Sequence, residues 1–219
     1  MRTAGDVYVK YKLPEMLQLH QLRVAAVGKI IADRVLGVNK RDIILTGLFH
    51  DMGNILKMDL SDTGPLVPFM EGESAYWRSV KAEFERTYGV NEHVASISIG
   101  REIGLSEAVL SMINNMRFTR TEWIYTTAPI EMKIAKYADL RVSPYGIVSM
   151  RDRLEEASVR YRGKSFDFGE KYNAEQRQRI NAICVELEAY VCAKADIDPK
   201  DITDAIAAPV IEQLRDYRV

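Results

Sequence analysis

Between Leu13 and Ile31 the chain places Leu13, Leu17, His20, Val24, Val27 and Ile31 at alternating intervals of four and three. That spacing predicts a helix with one buried face, running from about Pro14 to Val35. Pro14 suits a first turn, and the "GVN" that follows Val35 ends the pattern. Asn39 is placed to cap a second helix, with Asp42 in its first turn. Ile43, Ile44, Leu45, Leu48 and Phe49 fill that helix, which should end near Gly53. Residues 54–74 hold prolines and glycines without a sustained period and read as a loop. Ser74 then opens a helix with Trp77, Val80, Phe84 and Tyr88 on one face, stopped by Gly89. Asn91 starts a fourth that ends near Gly104. Ser106 caps a fifth, with Val109, Ile113 and Met116 turned inward.

"RFTRTEWIYTTA" (117–128) breaks the periodicity and reads as irregular. Pro129 opens a helix that aligns Met132, Ala135 and Asp139. "SPYG" makes a turn, and "IVSMRDRLEEASVRYR" is again helical. "GKSFDFGEKY" is a loop, and Asn173 begins a long helix through Ile180, Cys184, Leu187 and Val191. Asp198-Pro199 begins a last helical region that Pro209 should kink or divide. No stretch alternates as a strand does, and no repeat is visible. The fold class is therefore all-α, a globule of roughly nine or ten helices. Residues 1–145 form its core, and 146–219 are expected as C-terminal helices packing on it.

Composition narrows the classes of function. The 219 residues, 47% apolar and 28% charged, describe an ordinary globular chain long enough to bury a core without disulfides. A net charge of −1 and a pI near 6.3 leave no global footprint for nucleic acid or an anionic membrane. No apolar run approaches the roughly 20 residues of a bilayer span, and the N-terminus has no signal-peptide core. The two cysteines, Cys184 and Cys192, share one predicted helix and suggest reduced, buried thiols. A cytoplasmic location is expected. P-loop, dinucleotide-binding and nucleophile-elbow patterns are absent.

Three polar positions interrupt apolar lines. His20 replaces an aliphatic residue in the first stripe, so periodicity points it inward. His50 and Asp51 stand side by side in "LTGLFHDMGNIL". Adjacent residues on a regular helix diverge by about 100°, but near a helix end both can converge on one point. Asp139 occupies a core-like place in "EMKIAKYADLRV". Buried polar groups without partners are costly, so each needs a bond, an ion pair or a cation. A satisfied core histidine and a buried ion pair remain open readings for each position alone.

Taken in order, His20, His50-Asp51 and Asp139 resemble the HD superfamily of metal-dependent phosphohydrolases. The likeness covers roughly residues 13–145, and "LHQLRVAAVGKIIA" and "ILTGLFHDMGNI" read like that family's helices. It implies that His20, His50, Asp51 and Asp139 hold one divalent metal, with Asp51 also orienting a catalytic water. Such a mixed nitrogen and oxygen set suits Mn, Fe, Co, Ni or Zn, and Mg less well. His93 resembles the extra histidine of two-metal subfamilies. Their further histidine is missing here, where "VLSMINNMRF" carries Asn114 and Asn115. His93 is therefore either an additional metal or phosphate contact, or a first-turn surface residue. Lys57, Arg117, Arg120 and Arg141 are candidate phosphate-binding cations.

The implied activity is hydrolysis of a phosphomonoester or phosphoanhydride, with a nucleotide as the expected small-molecule partner. The alternatives are a module that binds metal or nucleotide without turnover, and a helical interaction protein with satisfied core histidines. The C-terminal helices are expected to cover the core, form a homodimer face or close over the site.

Overall fold

The computed structural model describes residues 2–61, 74–160 and 174–219. Among them are eleven α-helices and a single two-stranded hairpin, an all-α architecture as the periodicity predicts. The helices are α1 (Ala4–Lys10), α2 (Glu15–Ala32), α3 (Lys40–Phe49), α4 (Ser74–Tyr88), α5 (Glu92–Glu102) and α6 (Glu107–Asn115). They continue with α7 (Thr121–Thr127), α8 (Ile130–Leu140), α9 (Met150–Arg160), α10 (Ala174–Ala195) and α11 (Asp204–Arg215). The "GKSFDFGEKY" stretch, the Asn173 helix start and most of the loop expected at 54–74 lie outside the described residues.

Local chemistry places the starts and stops. The Asn39, Asn91 and Ser106 side chains each accept a backbone N–H in the first turn of the helix they precede. Gly89 and Gly104 follow α4 and α5 with positive φ, which ends a helix at no steric cost. Three segments differ from the sequence pattern. α1 lies ahead of the expected first helix and is fixed by a reciprocal capping box between Thr3 and Asp6. The "RFTRTEWIYTTA" stretch is ordered as a 3₁₀ turn (Phe118–Arg120) followed by α7. "SPYG" closes an antiparallel hairpin of β1 (Val142–Ser143) and β2 (Gly146–Ile147), too short to show alternation. Pro209 sits inside α11 without dividing it.

α2 is the central element and packs against α3, α8 and α11. It contributes Leu22, Ala25 and Ala26 to one apolar cluster, which includes Tyr8, Leu48, Phe49, Ile99 and Ile113. Val24, Val27 and Ile31 feed a second, with Ile134, Tyr137, Leu187 and Val191. Small residues set how close these helices come. A Cβ built on Gly47 would lie 2.6 Å from the Ala25 backbone, so α3 rests directly on the main chain of α2. Both cysteines are buried and unbridged. No helix among the described residues is long and apolar enough to cross a membrane.

Gly47→Ala must push α3 off α2, and overpacking of this kind costs about 1–3 kcal/mol. The expected result is a melting temperature lower by several degrees, read by circular dichroism. Leu36→Ser, at a residue 97% exposed, should leave it unchanged.

Candidate metal centre

Four side chains from three segments meet beside α2. His20 comes from the second turn of that helix. His50 is the cap residue where α3 stops, and Asp51 lies in the turn that follows. Asp139 stands in the last turn of α8. Because α3 ends at Phe49, the backbone after His50 leaves the helical path and the neighbouring pair turns toward one point.

The distances define a ring of acceptors. Asp51 Oδ2 lies 3.6 Å from His20 Nε2 and 3.6 Å from His50 Nε2. Asp139 Oδ1 lies 3.6 Å from His20 Nε2 and 3.5 Å from His50 Nε2. One donor atom each from His20, His50 and Asp139 falls within 4.8 Å of the other two. The His50 ring orientation is set from behind, where Nδ1 stands 3.0 Å from the Gly47 carbonyl and donates to it. In the neutral ring this leaves Nε2 as a lone pair aimed at the carboxylates. Nε2 is buried and has no hydrogen-bond partner.

Electrostatics point the same way. Burial works to lower the His50 pKa, but the Asp51 and Asp139 carboxylates outweigh it and push it up to about 9. Burial works to raise both carboxyls, and the surrounding cations reverse it. Asp51 is lowered by His50, Lys57 and His20, and Asp139 is held well below its usual range by Lys136 and the two imidazoles. A proton is thus drawn into a place where two carboxylates face two imidazoles. A divalent ion supplies that positive charge more completely. Donors around an ion with bonds of about 2.1 Å stand roughly 3–3.4 Å apart, close to the spacings seen here. The residues present therefore fit a metal.

The supporting contacts come from residues that sequence reasoning passed over. Gln21, fully buried next to His20, accepts the Asp51 N–H at 3.2 Å. Lys136 is 1% exposed, and its ammonium donates to the Met116 carbonyl at 2.7 Å and to Asp139 Oδ2 at 3.4 Å. Asp139 is thus divided, one oxygen toward the imidazoles and one toward Lys136. Ser96 Oγ accepts the Gly53 N–H at 2.9 Å. A Cβ on Gly53 would come within 2.2 Å of the Glu92 carbonyl, so α5 presses directly on the turn that carries Asp51.

The remaining candidates divide. His93, half-buried in the first turn of α5, lines a groove with Arg117 and Asn114. Burial and then the Arg117 guanidinium lower its pKa, so it is neutral at pH 7. Lys57 is exposed in the 3₁₀ turn after Gly53, near enough to help hold Asp51 ionised. Arg120 is turned to Asn115 Oδ1 at 3.2 Å and stacks on Trp123, away from that groove.

Arg141 departs from the phosphate-binding role expected for it. It is 3% exposed, and its donors go to the carbonyls of Val148, Pro199 and Ile202 and to Tyr137 Oη and Glu188. Two residues along a helix face opposite ways, which carries Arg141 away from the side Asp139 uses. Arg141→Met should therefore destabilise the fold by at least about 2 kcal/mol, since buried carbonyls lose their donor. A lowered melting temperature with unchanged metal content in the folded protein is the expected readout.

No curated protein and no solved structure matches the chain. A family model does: the HD domain, over residues 18–141, a span that includes all four residues of the cluster. The match covers more than half of the 219 residues, and the chain belongs to the HD domain family.

Proposed function

We propose that the protein is a divalent-metal-dependent phosphohydrolase acting on a phosphate ester or anhydride, with a nucleotide as substrate. The observation that carries this reading is the orphaned His50 Nε2, buried and facing two carboxylates and a second imidazole. His20, His50, Asp51 and Asp139 would hold the ion. Mn, Fe, Co, Ni or Zn suits the donor set. When bound, such an ion lowers the pKa of a coordinated water and offsets charge on a phosphoryl oxygen.

The rest falls to the side chains. Asp51 presents Oδ2 to the imidazoles, and no described residue hydrogen-bonds its other oxygen. With its pKa lowered, that carboxylate is ionised and able to accept a proton. In hydrolysis the water oxygen attacks phosphorus, its proton passes to Asp51, and the bond from phosphorus to the leaving oxygen breaks. The leaving oxygen takes up a proton, returned from Asp51 directly or through solvent, so phosphate and the free alcohol or shortened nucleotide are the products and Asp51 is again ionised. Lys136 fixes the Asp139 carboxylate, and Gln21 fixes the backbone of Asp51. His93 and Lys57 are near enough to Asp51 for charge to act between them, and they would meet substrate oxygens.

Elemental analysis of purified protein should find about one divalent metal per chain. Asp51→Ala should lose the metal and hydrolysis together while keeping its far-ultraviolet spectrum. Wild-type turnover in that variant would falsify the assignment.

Metal uptake should also be coupled to protons. Imidazole must be neutral to ligate, and His50 in the metal-free protein titrates at about 9. Its raised pKa stabilises the metal-free fold below about pH 6.5, and that contribution is lost as pH climbs toward 9. The rise in melting temperature caused by a fixed concentration of manganese should therefore grow between pH 6.5 and 8.5. A flat response would remove His50 from the ligand set.

A further inference from the structure

Between α5 and α6 runs a groove of about 190 Å³, open to solvent and below the rough 300–1,000 Å³ of whole small-molecule sites, so it takes only part of a ligand. Its polar lining is His93, Ser98, Arg101, Asn114 and Arg117, over Val94 and Ile97. None of these residues is acidic. His93, Ile97 and Arg101 recur at intervals of four along α5, so they form one row about 12 Å long. Asn114 and Arg117 face it from the end of α6 and the turn beyond, three residues apart.

One end of the groove adjoins the metal cluster from two directions. On the α5 side, Glu92 and Ser96 press against Gly53, and the Asp51 charge acts directly on His93. On the α6 side, the Met116 carbonyl is bonded to Lys136, which also holds Asp139, and Arg117 is the next residue. The row then leads outward past Ile97 to exposed Arg101. A substrate with one phosphoryl group at the cluster would meet two guanidiniums and three neutral polar side chains beyond it. An apolar leaving group gains little there, whereas further phosphates gain charge-assisted bonds.

We propose that this groove binds the phosphates of the substrate beyond the one at the metal cluster. The substrate class is then polyphosphorylated, a nucleoside di- or triphosphate or a related linear anhydride. The orientation rests on the phosphohydrolase reading above; the anion site itself does not require turnover.

The test titrates the full chain as purified with inorganic tripolyphosphate by calorimetry. It compares wild type, Arg101→Met, Arg117→Met and Arg120→Met, with folding checked by circular dichroism. The dissociation constant should rise about tenfold or more in the first two variants and stay at the wild-type value in Arg120→Met. Equal affinity in all four proteins, or no binding to wild type, would overturn the proposal. Kinetics then separate the two readings. KM for a nucleoside triphosphate should rise about tenfold in the groove variants, while kcat/KM for p-nitrophenyl phosphate stays unchanged. Tenfold weaker tripolyphosphate binding without hydrolysis of any phosphate ester upholds the groove and sinks the hydrolase. An equal loss for both substrates overturns the groove.

Discussion

Two carboxylates and two imidazoles converge on one place in this fold. Asp51 Oδ2 and Asp139 Oδ1 each stand 3.5–3.6 Å from both imidazole Nε2 atoms. Such an arrangement repels itself unless positive charge is present, as a proton on His50 or as an ion. Much of the surrounding structure holds these groups in place against that repulsion. The Gly47 carbonyl locks one imidazole, Gln21 holds the turn after it, and Lys136 restrains Asp139 from behind. The glycine contact of α3 on α2 and that of α5 on Gly53 bring the three segments together.

Two buried cations near the site show how differently one charge can be used. Lys136 neutralises part of the excess negative charge and anchors α8 to the end of α6. Arg141, two residues past Asp139, instead ties the hairpin and the segment before α11 to the end of α8. Its fork of donors suits scattered carbonyls, and the compact lysine head suits a carboxylate and one carbonyl.

Much of this was legible in the chain itself. The stripe from Leu13 to Ile31 marked α2, and the place of His20 within it pointed that ring inward. Asn39, Asn91 and Ser106 marked helix starts because their side chains satisfy free N–H groups. Short elements were not legible: α7 has seven residues and no side-chain cap, and each hairpin strand has two. α1 carried a readable signal, Thr3 three residues ahead of Asp6, but its helix is also only seven residues long. The second layer of the site was hidden for another reason. A polar residue on an apolar face looks the same in sequence whether it meets a ligand or, like Gln21 and Lys136, braces another side chain. Arg141 misled through nearness in sequence, which on a helix does not mean nearness in space.

The divided state of Asp139 reaches beyond stability. With Oδ2 turned to Lys136, this carboxylate has a single oxygen to offer toward the imidazoles. The proposed centre is then small, half nitrogen, and poor in oxygen donors. Calcium takes six to eight oxygens, often with a carboxylate gripping it through both. In the proposed centre, a lysine buried one helical turn from Asp139 would thus disfavour the large hard ion before any substrate arrives.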